Sequence, residues 1–220
     1  MCAQKRIGLI FSRARYHLRS IGFHAVFPLL IFDLLVPYMN YMEYRASGAG
    51  DSLYWSILQY TQWLMPLFSV WWVIFTLREY VEAEGYELLY VCKNKCKFWD
   101  VLLLFGMMLL DEVLVFGAYS LFWMPSVFKE VLRIICISVF YFGAAYFLIF
   151  LTRSLTAPLM ALLLYTIANT IWMNQKFPLY YTLQFLDGKQ LSQTYLPLAG
   201  IGLILTGIGV LLNKRMSRYH

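Results

Sequence analysis

Four charged residues of this chain lie inside long apolar stretches, where a charge is energetically costly and therefore points to a function. They are Asp33, Asp111, Glu112 and Arg133. In a membrane, such residues line the path of a substrate or an ion, pair with one another, or bond to exposed backbone groups. For Asp111 and Glu112 two interpretations stay open. They form the polar lining of a substrate path or a proton-sensitive gate, or they join neighbouring helices as neutral acids.

The positions of these residues constrain their partners. Asp111 and Glu112 are adjacent, so on a helix their side chains point about 100° apart and cannot face the same neighbour. Arg133 lies in the next apolar stretch and is a candidate partner for one acid, although Glu112 should lie a turn or two deeper. For Asp33 a packing role is favoured, because an acid close to helix-kinking prolines can bond the backbone groups that they free.

The sequence contains few groups that could carry enzyme chemistry. It has no H-E-x-x-H metal pair, no G-x-S-x-G nucleophile turn and no G-x-x-x-x-G-K-[ST] phosphate loop. Cys92 and Cys96 have the spacing of half a metal site, but no second Cys or His pair accompanies them. The sequence therefore predicts no catalytic residue, no metal site and no cofactor bound by this chain.

Composition indicates a membrane protein. The chain is 61% hydrophobic and 14% charged, with a mean hydropathy of +0.62, whereas a soluble domain is about 25% charged. A membrane helix needs about 20 apolar residues, so the chain has room for about six spans and short loops. We therefore expect one all-α transmembrane domain over residues 1–220, without a nucleotide-binding domain of its own.

The lengths of the apolar runs predict six spans, at residues 22–42, 53–77, 101–123, 130–151, 156–173 and 195–212. Most of the 18 Lys and Arg residues fall on one side of these spans. Because basic loops stay in the cytosol, both termini and the segment 78–100 are expected there, in a multi-pass protein of the plasma membrane.

Two segments outside the spans have mixed character. Residues 1–20 are predicted to form an amphipathic interfacial helix, because Ile7, Ile10 and Phe11 share one face and arginines can reach lipid phosphates. The alternative is an unstructured basic anchor. Residues 174–194 are too polar to cross a membrane and too apolar for a free loop, which predicts one or two short re-entrant helices on the outer side.

The last predicted span contains two pairs of glycines, each pair seven residues apart: Gly200 with Gly207, and Gly202 with Gly209. On a helix this spacing keeps each pair on nearly one face. Because small residues let helices approach closely, the pattern predicts a tight helix contact, either within the chain or between subunits.

Residues 78–100 form the only long run of mixed charge, and they lie between the second and third predicted spans. An acidic first half and a basic second half suit a helix dipole, and a central glycine would bend the helix. A solvated loop is the alternative, but it would leave the apolar residues of the segment without contacts. Docking to a soluble partner is favoured, through Arg78, Glu79, Glu82, Glu84, Gly85, Glu87, Leu88 and Leu89.

In these residues and in its layout, the chain resembles the permease subunits of the ABC-2 type exporter family. Arg78–Glu79 and Glu84–Leu89 match the charged coupling segment that such permeases carry between spans two and three. The interfacial helix, the six spans with cytosolic termini and the re-entrant helices before the last span match the layout. The resemblance implies that a separate cytosolic ABC ATPase, which holds ATP and Mg²⁺, grips this segment, and that two permease subunits face each other around the path.

Two functional hypotheses follow. The first is an export permease that moves an amphipathic, peptide or lipid-like substrate by alternating access, driven by the separate ATPase. The second is a membrane anchor or sensor subunit that transports nothing and docks a cytosolic partner through the same segment. The expected partners are the ATPase, a second permease subunit of the same or a related chain, and membrane lipids; nucleic acid is not among them.

Overall fold

The structure is a computed structural model of the 220-residue chain, and it describes residues 12, 15–48, 50–81, 97–122, 127–171 and 188–219. Nearly all of these residues are helical, and none of them lies in a β-strand. The first helical run begins with helix α1 (residues 15–21) and continues through several turns of different pitch. These are a 3-10 turn (Gly22–Ala25), α2 (Val26–Leu29), a π-helical turn (Leu30–Leu35) and α3 (Val36–Ser47).

The remaining helices follow in chain order. They are α4 (Asp51–Ser69), α5 (Trp71–Val81), α6 (Lys97–Phe122), α7 (Val127–Thr152), α8 (Thr156–Ile171), the single turn α9 (Gly188–Gln190) and α10 (Leu196–Tyr219). A second π-helical turn, Leu191–Tyr195, joins α9 to α10.

Four of the described helices are long and apolar enough to cross a membrane: Arg15–Ser47, Phe98–Tyr119, Phe128–Thr152 and Leu191–Arg215. They coincide with the first, third, fourth and sixth predicted spans, and the prediction of an all-α membrane protein is confirmed at that level. The predicted second span is divided between α4 and α5, because the chain turns at Val70. Helix α8, at the predicted fifth span, is apolar but shorter.

The first helical run changes pitch where its sequence interrupts the α-helical hydrogen bonds. Gly22 has a positive φ of 66° at the start of the 3-10 turn, and Pro28 has no N–H to donate to the carbonyl of His24. Tryptophans of α5 bond to this turn instead. Trp71 Nε1 donates to the His24 carbonyl at 3.1 Å, and Trp72 Nε1 donates to the Ala25 carbonyl at 2.8 Å. These bonds fasten the 3-10 turn of the first run to α5.

Helix α7 lies at the centre of the packing, and its most extensive partner is α10. Glycines allow the two backbones to touch. A Cβ atom placed on Gly143 would lie 1.9 Å from the carbonyl oxygen of Gly202, and one placed on Gly202 would lie 2.6 Å from Phe140 Cα. Gly209 also faces α7, where a Cβ atom would lie 2.7 Å from Tyr146 Cδ1. The close contact predicted from the glycine spacing is therefore internal to the chain.

The second glycine pair faces the other way. Cβ atoms placed on Gly200 or Gly207 would meet nothing within 4 Å in the described part of the chain. Among the described residues, only one of the two predicted faces of α10 is therefore used for close packing.

A short turn places α8 antiparallel to α7. Arg153 adopts a φ of 54° just after α7, and its N–H donates to the carbonyl of Ile149 at 2.9 Å, which is a common way for a helix to end. Ser154 Oγ accepts a bond from the N–H of Thr156 at 3.3 Å and so caps the next helix. The connection between the two helices is only these few residues long.

Parts of three predicted segments lie outside the described residues. The interfacial segment 1–20 is described at residue 12 and from residue 15 onward, where it is helical. The re-entrant segment 174–194 is described from residue 188, where α9 and the second π-helical turn lead directly into α10. Of the charged segment 78–100, residues 82–96 lie outside.

Candidate functional site

The strongest candidate site is a cavity in which two acids meet on otherwise mostly apolar walls. Asp33 and Asp111 line a space of about 390 Å³ together with Pro37, Leu114, Val115, Ala118 and Tyr119. Asp33 is exposed and Asp111 is half-buried. Both belong to helices that are candidate membrane spans. The structure thus brings together two acids that lie far apart in the sequence.

Local structure explains how these residues reach the cavity. On α6, Asp111, Leu114, Val115 and Ala118 follow the spacing of one helical face. Asp33 lies in the π-helical turn that precedes α3, and such turns are frequent at functional sites. No hydrogen bond joins Asp33 to another residue in the described part of the chain. The favoured expectation, that Asp33 bonds freed backbone, has no such bond to support it.

One end of the cavity is anchored by a chain of hydrogen bonds across three helices. Asn40 Nδ2 of α3 donates to the hydroxyl of Tyr119 on α6 at 3.0 Å. Ser56 Oγ of α4 donates to Asn40 Oδ1 at 3.2 Å. Because Asn40 is fully buried, these bonds satisfy its amide and hold Tyr119 at the cavity wall.

Glu112 has different neighbours from Asp111, as expected for adjacent residues of a helix. It is only 1% exposed and faces α7, where Ser138 Oγ lies 3.1 and 3.2 Å from its two carboxylate oxygens. The hydroxyl donates to the carboxylate and joins the two helices. Glu112 therefore takes the interhelical role, while Asp111 takes the role of a cavity lining.

Arg133 pairs with neither Asp111 nor Glu112. It forms an ion pair with Glu130, three residues earlier on α7, and both side chains are almost completely buried. The hydroxyl of Tyr54 on α4 donates to Glu130 Oε1 at 3.3 Å, and the guanidinium carbon lies 5.6 Å from the centre of the Tyr195 ring. The arginine is thus held by Glu130 of its own helix and lies against the Tyr195 ring, while Tyr54 bonds to its carboxylate partner.

Sequence reasoning missed Glu130, which stood at the predicted start of the fourth span. The signal that could have found it was the spacing of an acid and a base three residues apart on one helix, which is a common ion-pair geometry. A second missed contact joins His17 Nε2 of α1 to Asp100 Oδ2 of α6 at 3.4 Å. Both of these side chains are buried.

The coupling residues predicted from sequence are described only at their edge. Arg78 is exposed near the end of α5, and Glu79 follows it in the same helix. The others lie outside the described residues: Glu82, Glu84, Gly85, Glu87, Leu88 and Leu89. The flanking helices α5 and α6 pack against each other, so the two ends of this segment are held on neighbouring elements.

Among the described residues, no group of three or more His, Cys, Asp or Glu side chains is placed to hold a metal ion. Comparisons of the chain with protein-family models, with curated proteins and with solved structures find no significant match. The functional argument therefore rests on the chain's own residues.

Proposed function

We propose that this chain is the membrane-spanning permease subunit of an ATP-driven ABC exporter, and that a separate cytosolic subunit hydrolyses the ATP. The observation that carries the proposal is the cavity shared by Asp33 and Asp111. Acids on candidate membrane helices are costly unless they face a polar space or a partner. A cavity with two carboxylates and several apolar residues suits a substrate that is itself amphipathic, such as a peptide or a lipid-like molecule.

In this proposal the chain crosses the plasma membrane six times. Helices α4 and α5 together make the second crossing, and α8 makes the fifth. With 16 residues, α8 is about 24 Å long by helical rise, which is shorter than the hydrocarbon core of about 30 Å. Local thinning of the bilayer or flanking residues would compensate for the difference. Both termini and residues 78–100 lie in the cytosol, and residues 174–194 form the outer re-entrant segment.

Helix α6 supports a coupling mechanism because it carries residues of both sites. Its first residue, Lys97, belongs to the charged segment 78–100, and Asp111 lies in the cavity wall. About 21 Å of continuous helix separates the two positions. If the ATPase binds the segment 78–100 and moves it, helix α6 and the cavity wall would move with it. For this to happen the segment must bind the ATPase with different affinity in its two states.

The proposal is tested by assembly and hydrolysis. We expect the tagged chain, purified from its native membrane, to carry a stoichiometric ATPase subunit with a phosphate-binding loop. Reversing the charge of Glu84 and Glu87 to Lys should release that subunit and abolish its stimulated hydrolysis. The matched control reverses Lys214 and Arg215 to Glu, which changes the same number of charges elsewhere on the expected cytosolic side and should leave the complex intact.

Two outcomes would contradict the proposal. If the Glu84→Lys, Glu87→Lys variant keeps both assembly and hydrolysis, the segment is not the point of coupling. If Asp33→Asn with Asp111→Asn keeps assembly, hydrolysis and the complete export phenotype, the cavity is not part of the path. A complex that assembles and shows no export phenotype with any variant would favour the anchor or sensor hypothesis.

A further inference from the structure

A second cavity lies where the basic helix α1 meets the first apolar helix, and it has a charged end and an apolar end. It has a volume of about 410 Å³. The residues that line it are Arg15, Leu18, Arg19, Gly22, Ala25, Val26, Leu29 and Trp72. Among these residues only the two arginines are charged. We propose that this cavity is a binding site for one glycerophospholipid with an anionic headgroup.

The charges support an anionic headgroup. Arg15 and Arg19 are four residues apart and therefore lie on one face of α1. His17 points to the opposite side, where it contacts Asp100, so the orientation of α1 is fixed. In the described part of the chain no ion pair joins either arginine to a carboxylate. Two neighbouring guanidinium groups that pair with no described carboxylate are suited to bind a phosphate.

The apolar wall supports a lipid rather than a free phosphate. From Leu18 to Leu29 the lining residues recur every three or four positions on one face of the first helical run. By helical rise this stripe is about 16 Å long, close to the hydrocarbon thickness of one leaflet, about 15 Å. A free phosphate would contact only the arginines and leave the wall uncovered, whereas an acyl chain would cover its length.

The site is held in shape by contacts that do not involve the ligand. Trp72 forms one wall of the cavity and donates its indole N–H to the Ala25 carbonyl at 2.8 Å. Trp71 donates in the same way to His24 at 3.1 Å. At Gly22 a side chain is absent and the neighbouring space is open, so the groove passes from the arginines to the apolar wall without a barrier. The cavity is thus formed before a lipid arrives.

The experiment uses the delipidated full chain in detergent and measures bound lipids by native mass spectrometry. The delipidated chain is titrated separately with phosphatidylglycerol, with phosphatidylcholine of the same acyl chains, and with inorganic phosphate. We expect one phosphatidylglycerol to bind preferentially. Arg15→Gln should weaken its binding about fivefold, and the double variant with Arg19→Gln about thirtyfold, from the usual contribution of a basic residue near anionic lipid.

Two further variants separate a defined site from general surface charge. Val26→Trp keeps every charge but fills the groove, and it should abolish the preferential binding of phosphatidylglycerol. Lys214→Gln with Arg215→Gln removes two charges elsewhere and should leave binding unchanged. The proposal is overturned if the two lipids bind equally, if Val26→Trp binds like the unaltered chain, if the control pair weakens binding as much as the arginine pair, or if millimolar phosphate displaces the lipid. The readout does not depend on transport, so the proposed function stands or fails separately.

Discussion

The contact between α7 and α10 predicts a large difference between glycines of the same helix. Replacing Gly202 by Ala would place a Cβ atom 2.6 Å from Phe140 Cα and 2.6 Å from the Val139 carbonyl oxygen. Both neighbours are backbone atoms, so no side-chain rotation can relieve the contact. Since ordinary contacts to a Cβ atom are about 3.5–4.0 Å, the helices would have to separate by about 1 Å at this contact.

The cost of that separation follows from the loss of packing. Overpacking a core by one methyl group usually destabilises a protein by about 1–3 kcal/mol, and the absence of a movable side chain favours the upper end. For a chain of this size each kcal/mol lowers the melting temperature by roughly 2–4 °C, so we expect a decrease of about 6–12 °C. Gly143→Ala should be at least as damaging, because its Cβ atom would lie 1.9 Å from the Gly202 carbonyl oxygen.

Gly200→Ala and Gly207→Ala are the matched controls, because they lie on the same helix and a Cβ atom there would meet none of the described residues within 4 Å. Alanine favours a helix over glycine by about 1 kcal/mol, so these variants should be neutral or slightly more stable. The assay is thermal unfolding of the purified protein in one detergent, followed by the fraction that remains monodisperse. Equal melting temperatures for Gly202→Ala and Gly200→Ala would refute the internal packing described here.

Three further predictions concern the buried ion pair, the tryptophan contacts and α6. Arg133→Met should destabilise the fold by about 3–5 kcal/mol, because it leaves the Glu130 carboxylate buried without its counter-charge. Adding Glu130→Met should restore much of the lost stability. A double-mutant cycle of unfolding free energies measures the coupling between the two residues. Trp72→Phe keeps an aromatic ring but removes buried volume and the hydrogen bond to the 3-10 turn of the first helical run, so it should lower the unfolding free energy by at least about 1 kcal/mol. Gly106→Ala should stiffen α6 between the charged segment and the acidic cavity and leave transport per ATP unchanged or higher, whereas Gly117→Ala, beyond Asp111, serves as the control. A stable Gly106→Ala protein with abolished transport would show that α6 must bend.

The presence of the long helices could be predicted from this sequence, because the length of an apolar run is a local property. The long apolar runs coincide with the four candidate spans, and the 3-10 turn begins at Gly22, where the first span was predicted to start. The division of the second span at Val70 was not predicted. Pro66 lies inside α4, but a proline is tolerated within membrane helices, so its presence alone does not indicate an end.

The sites were less predictable because they depend on which helices become neighbours. Asp33 and Asp111 were both singled out as costly charges, but nothing in either stretch of sequence indicates that they line one cavity. The glycines of α10 show the same limit. The two pairs have equivalent spacing, and only the contacts with α7 show which pair packs: Gly202 meets Gly143, and Gly209 meets Tyr146. Arg133 was considered as a partner for an acid of the neighbouring stretch, whereas its partner, Glu130, lies within one turn of its own helix.

Helix α6 connects the end of the charged segment with the wall of the acidic cavity. Near its start, Asp100 contacts His17 of α1 at 3.4 Å, so the basic helix is tied to the end of the charged segment. Further along, Glu112 is bonded to Ser138 of α7, while Asp111 faces the cavity. A helix that is bonded on one side and lines an open space on the other can tilt mainly toward that space. Movement of the charged segment would therefore change the width of the acidic cavity more than the packing against α7, as the proposed transport cycle requires.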